Sequence, residues 1–137
     1  MAARFLDANI FLRYFTRDDP DKAQRCYALF QGVQSGEEHV TTSESVIAEV
    51  VYVLSSPRLY AVPRTEIRAL LLSILTLRGM RLPNRRLYMR ALDVYAEHDI
   101  DFEDALTVAH VERKRLDAIL SYDRDFDQVA GITREEP

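Results

Sequence analysis

Four acidic residues of this 137-residue chain stand beside apolar runs, where carboxylates are least expected. Asp7 closes Arg4-Phe5-Leu6-Asp7, and Glu49 lies inside Val46-Ile47-Ala48-Glu49-Val50-Val51. Asp104 opens Asp104-Ala105-Leu106, and Asp123 follows Ala118-Ile119-Leu120-Ser121-Tyr122. An ionised carboxylate pressed toward a core is costly unless something compensates it. Four such residues, spread along the whole chain, point to one pocket assembled by the fold. Each also has a plainer reading. Asp7 can start the helix of Ile10, Phe11 and Tyr14, and Asp104 falls in a first helical turn, where the macrodipole favours acids. Asp123 belongs to Asp123-x-Asp125-x-Asp127, the pattern of an ordinary surface turn. Glu49 is hardest to explain away, because its helical neighbours are Ser45, Val46, Tyr52 and Val53.

Carboxylates gathered in one pocket repel. Two of them about 5 Å apart, at an effective dielectric near 20, do so by roughly 3 kcal/mol. Such a pocket either stays partly protonated or holds a cation. All-oxygen ligation without a cysteine or histidine pair favours Mg²⁺ or Mn²⁺ over zinc. An ion of that kind suits phosphodiester hydrolysis, polarising a phosphoryl oxygen and acidifying a bound water.

The elements that must position these acids alternate between short apolar runs and longer helical patterns. Phe5-Leu6 reads as a short buried strand. Asp19-Pro20 opens a helix with apolar positions Ala23, Cys26, Tyr27, Phe30 and Val33. His39-Val40-Thr41 is a second strand, and Thr41-x-x-Glu44 has the spacing of a capping box for a helix to about Leu54. A helix from about Pro63 to Leu77 follows, stopped by Gly79, and Met80-Arg81-Leu82 is a third strand. Asn84 caps a helix with the face Leu87, Ala91, Val94 and Tyr95, and Asp101 caps another from Phe102 to about Arg115. Ala118 to Ser121 is the clearest central strand, and Ala130 to Thr133 a last edge strand. Alternating β and α units predict a single α/β domain over residues 1–137, a parallel sheet with helices on both faces. Ligands gather at the carboxyl ends of such strands, where Asp7 and Asp123 fall.

Composition bounds the rest. Hydrophobic content of 47% and charged content of 29% are those of an ordinary globular protein. A charged residue at Arg4 leaves no room for a signal peptide, and the apolar run around Ala69 to Leu75 is too short to span a bilayer. The single cysteine, Cys26, excludes an internal disulfide and a cysteine-rich zinc site, and its spacing makes it a buried thiol. The expected location is the cytoplasm, with no membrane partner. Net charge is −4, yet between Arg58 and Arg90 eight arginines face only Glu66, so that stretch carries +7 and the remainder −11. The asymmetry suggests a polyanion partner for one part and a cation site in the other. Arg81, Arg85 and Arg86 are the candidate contacts to RNA or to a protein partner. Four glycines, scattered, exclude a glycine-rich phosphate loop.

Taken in order, Phe5-Leu6-Asp7-Ala8-Asn9-Ile10-Phe11-Leu12-Arg13-Tyr14, the Glu49 helix, Asp101-Phe102-Glu103-Asp104-Ala105-Leu106 and Ser121-Tyr122-Asp123-Arg124-Asp125-Phe126 resemble the acidic blocks of the PIN-domain ribonucleases. More narrowly they resemble the VapC-type toxins of bacterial toxin–antitoxin pairs, a likeness that includes Asp18-Asp19-Pro20 and Tyr60. The resemblance implies a three-layer α/β/α fold with a parallel sheet of about five short strands in the order 3-2-1-4-5. It also implies a homodimer, a separately encoded antitoxin, and Mg²⁺- or Mn²⁺-dependent cleavage of RNA. On this likeness Asp7, Glu49, Asp104 and Asp123 are the catalytic acids, with Asp7, Asp104 and Asp123 holding the metal. Asn9, Ser121 and Asp125 support them.

Two other readings compete. A phosphoaspartyl phosphatase or receiver domain also places an aspartate after its first strand. The phosphatase, however, needs a second acid where Asn9 stands, and both need a lysine after a strand, which neither Lys22 nor Lys114 supplies. A non-catalytic protein that binds RNA or a partner through the arginine-rich middle would have no use for four converging acids.

Overall fold

Helix starts in this chain are written by single side chains, and a computed structural model, describing residues 2–137, shows which of them act. Asp19 accepts the Lys22 backbone N–H at 3.1 Å and Pro20 takes the first helical position, fixing the start of α2. Asp101 does the same for α6 through the Asp104 N–H at 2.8 Å. The described chain divides into two compact units, one ending at Pro83 and the other running from Asn84 to Pro137.

In the first unit the order is β1 (Arg4–Phe5), α1 (Ala8–Thr16), α2 (Pro20–Ser35), β2 (Val40–Thr41), α3 (Glu44–Ser55) and α4 (Arg64–Leu75). β1 and β2 are parallel, with Arg4 opposite Val40, and Val40 forms a further parallel bridge to Met80. The ladder is closed by Leu6 N–H to Thr41 C=O at 2.8 Å and Arg81 N–H to Val40 C=O at 2.7 Å. Phe11, Val33, Ile47, Val50, Ile67 and Leu71 are buried in this unit. Cys26 is buried too, and burial pushes its thiol pKa up. The Tyr60 hydroxyl bonds to the Asp18 carboxylate, tying the segment after α3 to the start of α2.

The second unit holds α5 (Arg85–Glu97), α6 (Phe102–Lys114), β3 (Ile119–Leu120), a 3₁₀ turn (Arg124–Gln128) and β4 (Arg134–Glu135). β3 and β4 are parallel, with Ile119 opposite Arg134. Arg90 on α5 holds Glu112 on α6 through two bonds of 2.7 and 3.0 Å. Leu87, Ala91, Val94, Ala105, Val108 and Phe126 are buried here.

The class is therefore α/β, with six α-helices and short parallel strands among the described residues. Several boundaries differ from those read in the sequence. Strands are two residues long, and Met80 contributes a bridge rather than a strand. Phe5 is 59% exposed and Leu120 70%, so only one residue of each of these strands' apolar pairs faces inward. The cap of α3 is Ser43, which accepts the Val46 N–H at 3.3 Å, because Thr41 is committed to the β2 ladder. Asn84 caps nothing with its side chain: its amide oxygen accepts from Arg113 at 2.9 Å. The last strand begins at Arg134, since Gly131 at φ 83° turns the chain and Ile132 bonds back to Val129. Tyr27 lies outside the α2 core stripe and stacks on Tyr14 with ring centres 6.5 Å apart.

Gly79 does not cap α4, which ends at Leu75 with Thr76 as its cap. It lets β2's approach pass: a Cβ there would lie 2.0 Å from the Glu38 carbonyl oxygen and 2.8 Å from that of Val33. Gly79→Ala is therefore expected to cost roughly 2–4 kcal/mol in urea unfolding, because backbone must move. Gly131→Ala, strained in φ but meeting open space, should cost only about 1 kcal/mol. Equal losses would contradict this account of Gly79.

Candidate metal centre

In the second unit the chain folds three carboxylates onto one point. Oxygens of Asp104, Asp123 and Asp125 all lie within 4.8 Å of one another, the one such acid, histidine or cysteine group among the described residues. Local bonding sets it up. Ser121, at the end of β3, accepts the Asp123 N–H on its hydroxyl at 2.9 Å. Asp123 in turn caps the 3₁₀ turn by accepting the Asp125 N–H at 2.9 Å, which turns Asp125 back beside it. Arg134, its side chain 12% exposed, donates to the Ser121 carbonyl at 3.0 Å and pairs with Asp127 at 3.0 Å and Glu136 at 2.7 Å. Those anions hold its guanidinium well above the usual arginine pKa.

Asp104 reaches the cluster from the first turn of α6. It is half-buried, and its pKa is raised to about 6, by burial first and then by Asp101, Asp123 and Asp125. The helix dipole works the other way, worth roughly 0.3–1 kcal/mol in favour of the anion. It loses. At 4.8 Å one carboxylate pair repels by between about 1 kcal/mol in water-like surroundings and about 3 at a dielectric near 20. A half-buried, all-oxygen site with excess negative charge fits a hard divalent cation.

The premise that every acid presses on the core holds for Asp104 alone. Asp7, Glu49 and Asp123 are exposed. Glu49 shares an exposed face of α3 with Ser45 and Tyr52, one turn to either side. Asp7 stands at the N-cap position of α1 but makes no side-chain cap bond; its carboxylate accepts from the Asn9 amide at 3.5 Å. The plain cap reading of Asp7 is thereby unsupported. Thr42, buried, donates its hydroxyl to the Leu6 carbonyl at 3.1 Å and so fixes the strand end that carries Asp7.

Of the four expected acids the structure brings together Asp104 and Asp123, and it adds Asp125 as a full member. Asp7 and Glu49 belong to the first unit and lie outside that group. Three contributors were missed in the sequence. Asp101 was read only as a cap, though an acid three residues before Asp104 already signalled a second charge. Arg134 and Thr42 carried no signal. Among the arginines, Arg81 bonds to His39 at 3.1 Å, Arg85 is half-buried, and Arg86 is exposed.

An α/β protein with an aspartate cluster at the end of a parallel strand is thus defined by fold and site. The family model of the PIN domain matches residues 4–132, and the chain belongs to that family. PIN domains are generally metal-dependent nucleases, which supports a hydrolase. No curated protein matches the sequence significantly. No described helix is long and apolar enough to cross a membrane.

The raised Asp104 pKa has a direct consequence for stability. A carboxyl that binds its proton more tightly in the folded state stabilises the fold fully below pH 4, and that stability is lost as pH rises through about 6. In EDTA at pH 7, Asp104→Asn should therefore unfold at higher urea than the parent. Its advantage is roughly 1–2 kcal/mol after solvent screening, vanishing near pH 4. A pH-independent difference would contradict the cluster's electrostatics.

Proposed function

We propose that this protein is a Mg²⁺- or Mn²⁺-dependent endoribonuclease that acts as the toxin of a toxin–antitoxin pair. The observation that carries the proposal is the Asp104–Asp123–Asp125 cluster in a chain of the PIN family. These three carboxylates would hold the ion. A bound divalent cation polarises the phosphoryl oxygen and lowers the pKa of a coordinated water for in-line attack. The chain's own work is presentation. Ser121 and Arg134 fix the backbone that carries Asp123, and Asp101 fixes that of Asp104. On the ordered sequence blocks alone, Asp7, with Asn9 on its carboxylate, would be a further metal ligand and Glu49 the fourth catalytic acid. Arg86, exposed in the first turn of α5, is the best placed of the three candidate arginines to meet RNA or antitoxin. A homodimer, a separately encoded antitoxin and a cytoplasmic location belong to the same proposal, supported by the ordered sequence blocks.

Single-stranded RNA incubated with the purified protein should be cut in Mg²⁺ or Mn²⁺ and spared in EDTA. Asp7→Asn, Asp104→Asn and Asp123→Asn should each lower the cleavage rate at least about 100-fold, some 2.7 kcal/mol of transition-state stabilisation. Growth arrest on expression should be lost with it. An Asp104→Asn/Asp123→Asn variant that cuts at the parental rate would sink the nuclease assignment.

Millimolar Mn²⁺ should also raise the melting temperature of the parent, since saturation about a hundredfold over the dissociation constant adds roughly 2.7 kcal/mol. The Asp104→Asn variant should lose most of that gain. An unchanged melting curve for the parent would count against a preformed site.

A further inference from the structure

Beside the Asp7 end of β1, a groove of about 280 Å³ runs between α1 and α2, lined by Asn9, Ile10, Arg13, Lys22, Arg25 and Cys26. Three of the six are cations and none is an acid. No ion pair to Arg13, Lys22 or Arg25 occurs among the described residues. Of the acids nearest in sequence, Asp18 is bonded by Tyr60 and Asp19 caps α2, while Asp21 is exposed and makes no ion pair among the described residues. Lys22 moreover sits in the first turn of α2, where the helix dipole disfavours a cation. Three like charges around one concavity, one of them at the wrong helix end, are an arrangement that an anion relieves. Asn9 links the groove to Asp7, lining it while donating to the Asp7 carboxylate at 3.5 Å.

We infer that this groove binds a backbone phosphate of single-stranded RNA, holding the strand next to the Asp7 carboxylate. The inference rests on the ribonuclease reading and adds to it the residues that position the strand: Arg13, Lys22 and Arg25. The arrangement suits phosphate rather than base recognition, since cations dominate the lining and no aromatic ring enters it. It also lies outside the arginine-rich stretch between Arg58 and Arg90, so composition alone would have overlooked it.

The test measures binding of a fluorescent single-stranded RNA dodecamer in EDTA, where cleavage is off, across a range of salt. Lys22→Gln/Arg25→Gln is compared with Lys114→Gln/Arg115→Gln, which removes the same charge from the end of α6. All four side chains are exposed, so both variants should fold as the parent does. The groove variant should bind roughly tenfold more weakly, with a salt slope smaller by up to about 1.4, or about 0.7 for each lost contact. The control should change little. Equal losses in both variants, or none, would overturn the inference. A dodecamer of poly-glutamate serves as a second probe. Should the groove variant lose that peptide and keep the RNA, the groove would belong to an acidic protein partner and the inference would fall. Melting of the parent with Mn²⁺, on the same preparation, reads the metal centre separately. A Mn²⁺ response without RNA binding overturns the groove and spares the centre. Groove-dependent RNA binding without a Mn²⁺ response supports the groove and removes the nuclease reading.

Discussion

Carboxylate repulsion is the constraint around which the second unit is arranged. Three aspartates meet within 4.8 Å, a fourth, Asp101, leans on one of them, and the half-buried member responds with a pKa near 6. No side-chain cation among the described residues forms an ion pair with the cluster. The nearby arginine, Arg134, is occupied by Asp127, Glu136 and the Ser121 carbonyl. Its role is to hold the frame while the cluster keeps its charge. Cost retained in this way is the usual mark of a site whose counter-ion arrives from solution.

The same side chains that end and begin secondary structure also aim the acids. Asp101 caps α6 and loads Asp104 with a second negative neighbour. Asp123 caps the 3₁₀ turn and brings Asp125 round. Ser121 closes β3 and steadies Asp123. Rigid placement therefore comes from backbone hydrogen bonds a few residues apart, each worth about 1 kcal/mol. The first unit uses the same economy around Asp7, where Thr42 pins the strand end and Asn9 meets the carboxylate.

Much of this was legible before any coordinates. Helical periodicity located α2 to α6 within a few residues, since each buries a stripe such as Leu87, Ala91 and Val94. The Asp19-Pro20 and Asp101 caps act as their residue types require. Strands were harder. Two-residue strands carry no alternation to read, and the last was displaced because Gly131 turns the chain before Arg134 pairs. Capping patterns misled where a tertiary partner competed: Thr41 went to the β2 ladder and Asn84 to Arg113. In the site, Asp104 and Asp123 were identified from their apolar neighbours, while Asp125 was ranked too low. Its position depends on a 3₁₀ turn, which spacing alone does not distinguish from an ordinary surface turn. Burial does not single out Glu49: its helix has an exposed face, made of Ser45, Glu49 and Tyr52.

The central claim is that the aspartate cluster of the second unit is a divalent-cation site. Electron paramagnetic resonance of free Mn²⁺, titrated against the intact protein, tests it without substrate or turnover. Saturable binding is expected at pH 7.5, weakening as pH falls through about 6, where Asp104 takes up its proton. It should be abolished or strongly weakened by Asp123→Asn and Asp125→Asn. Mn²⁺ left wholly free at millimolar concentration, or bound with undiminished affinity by both variants, would contradict the account.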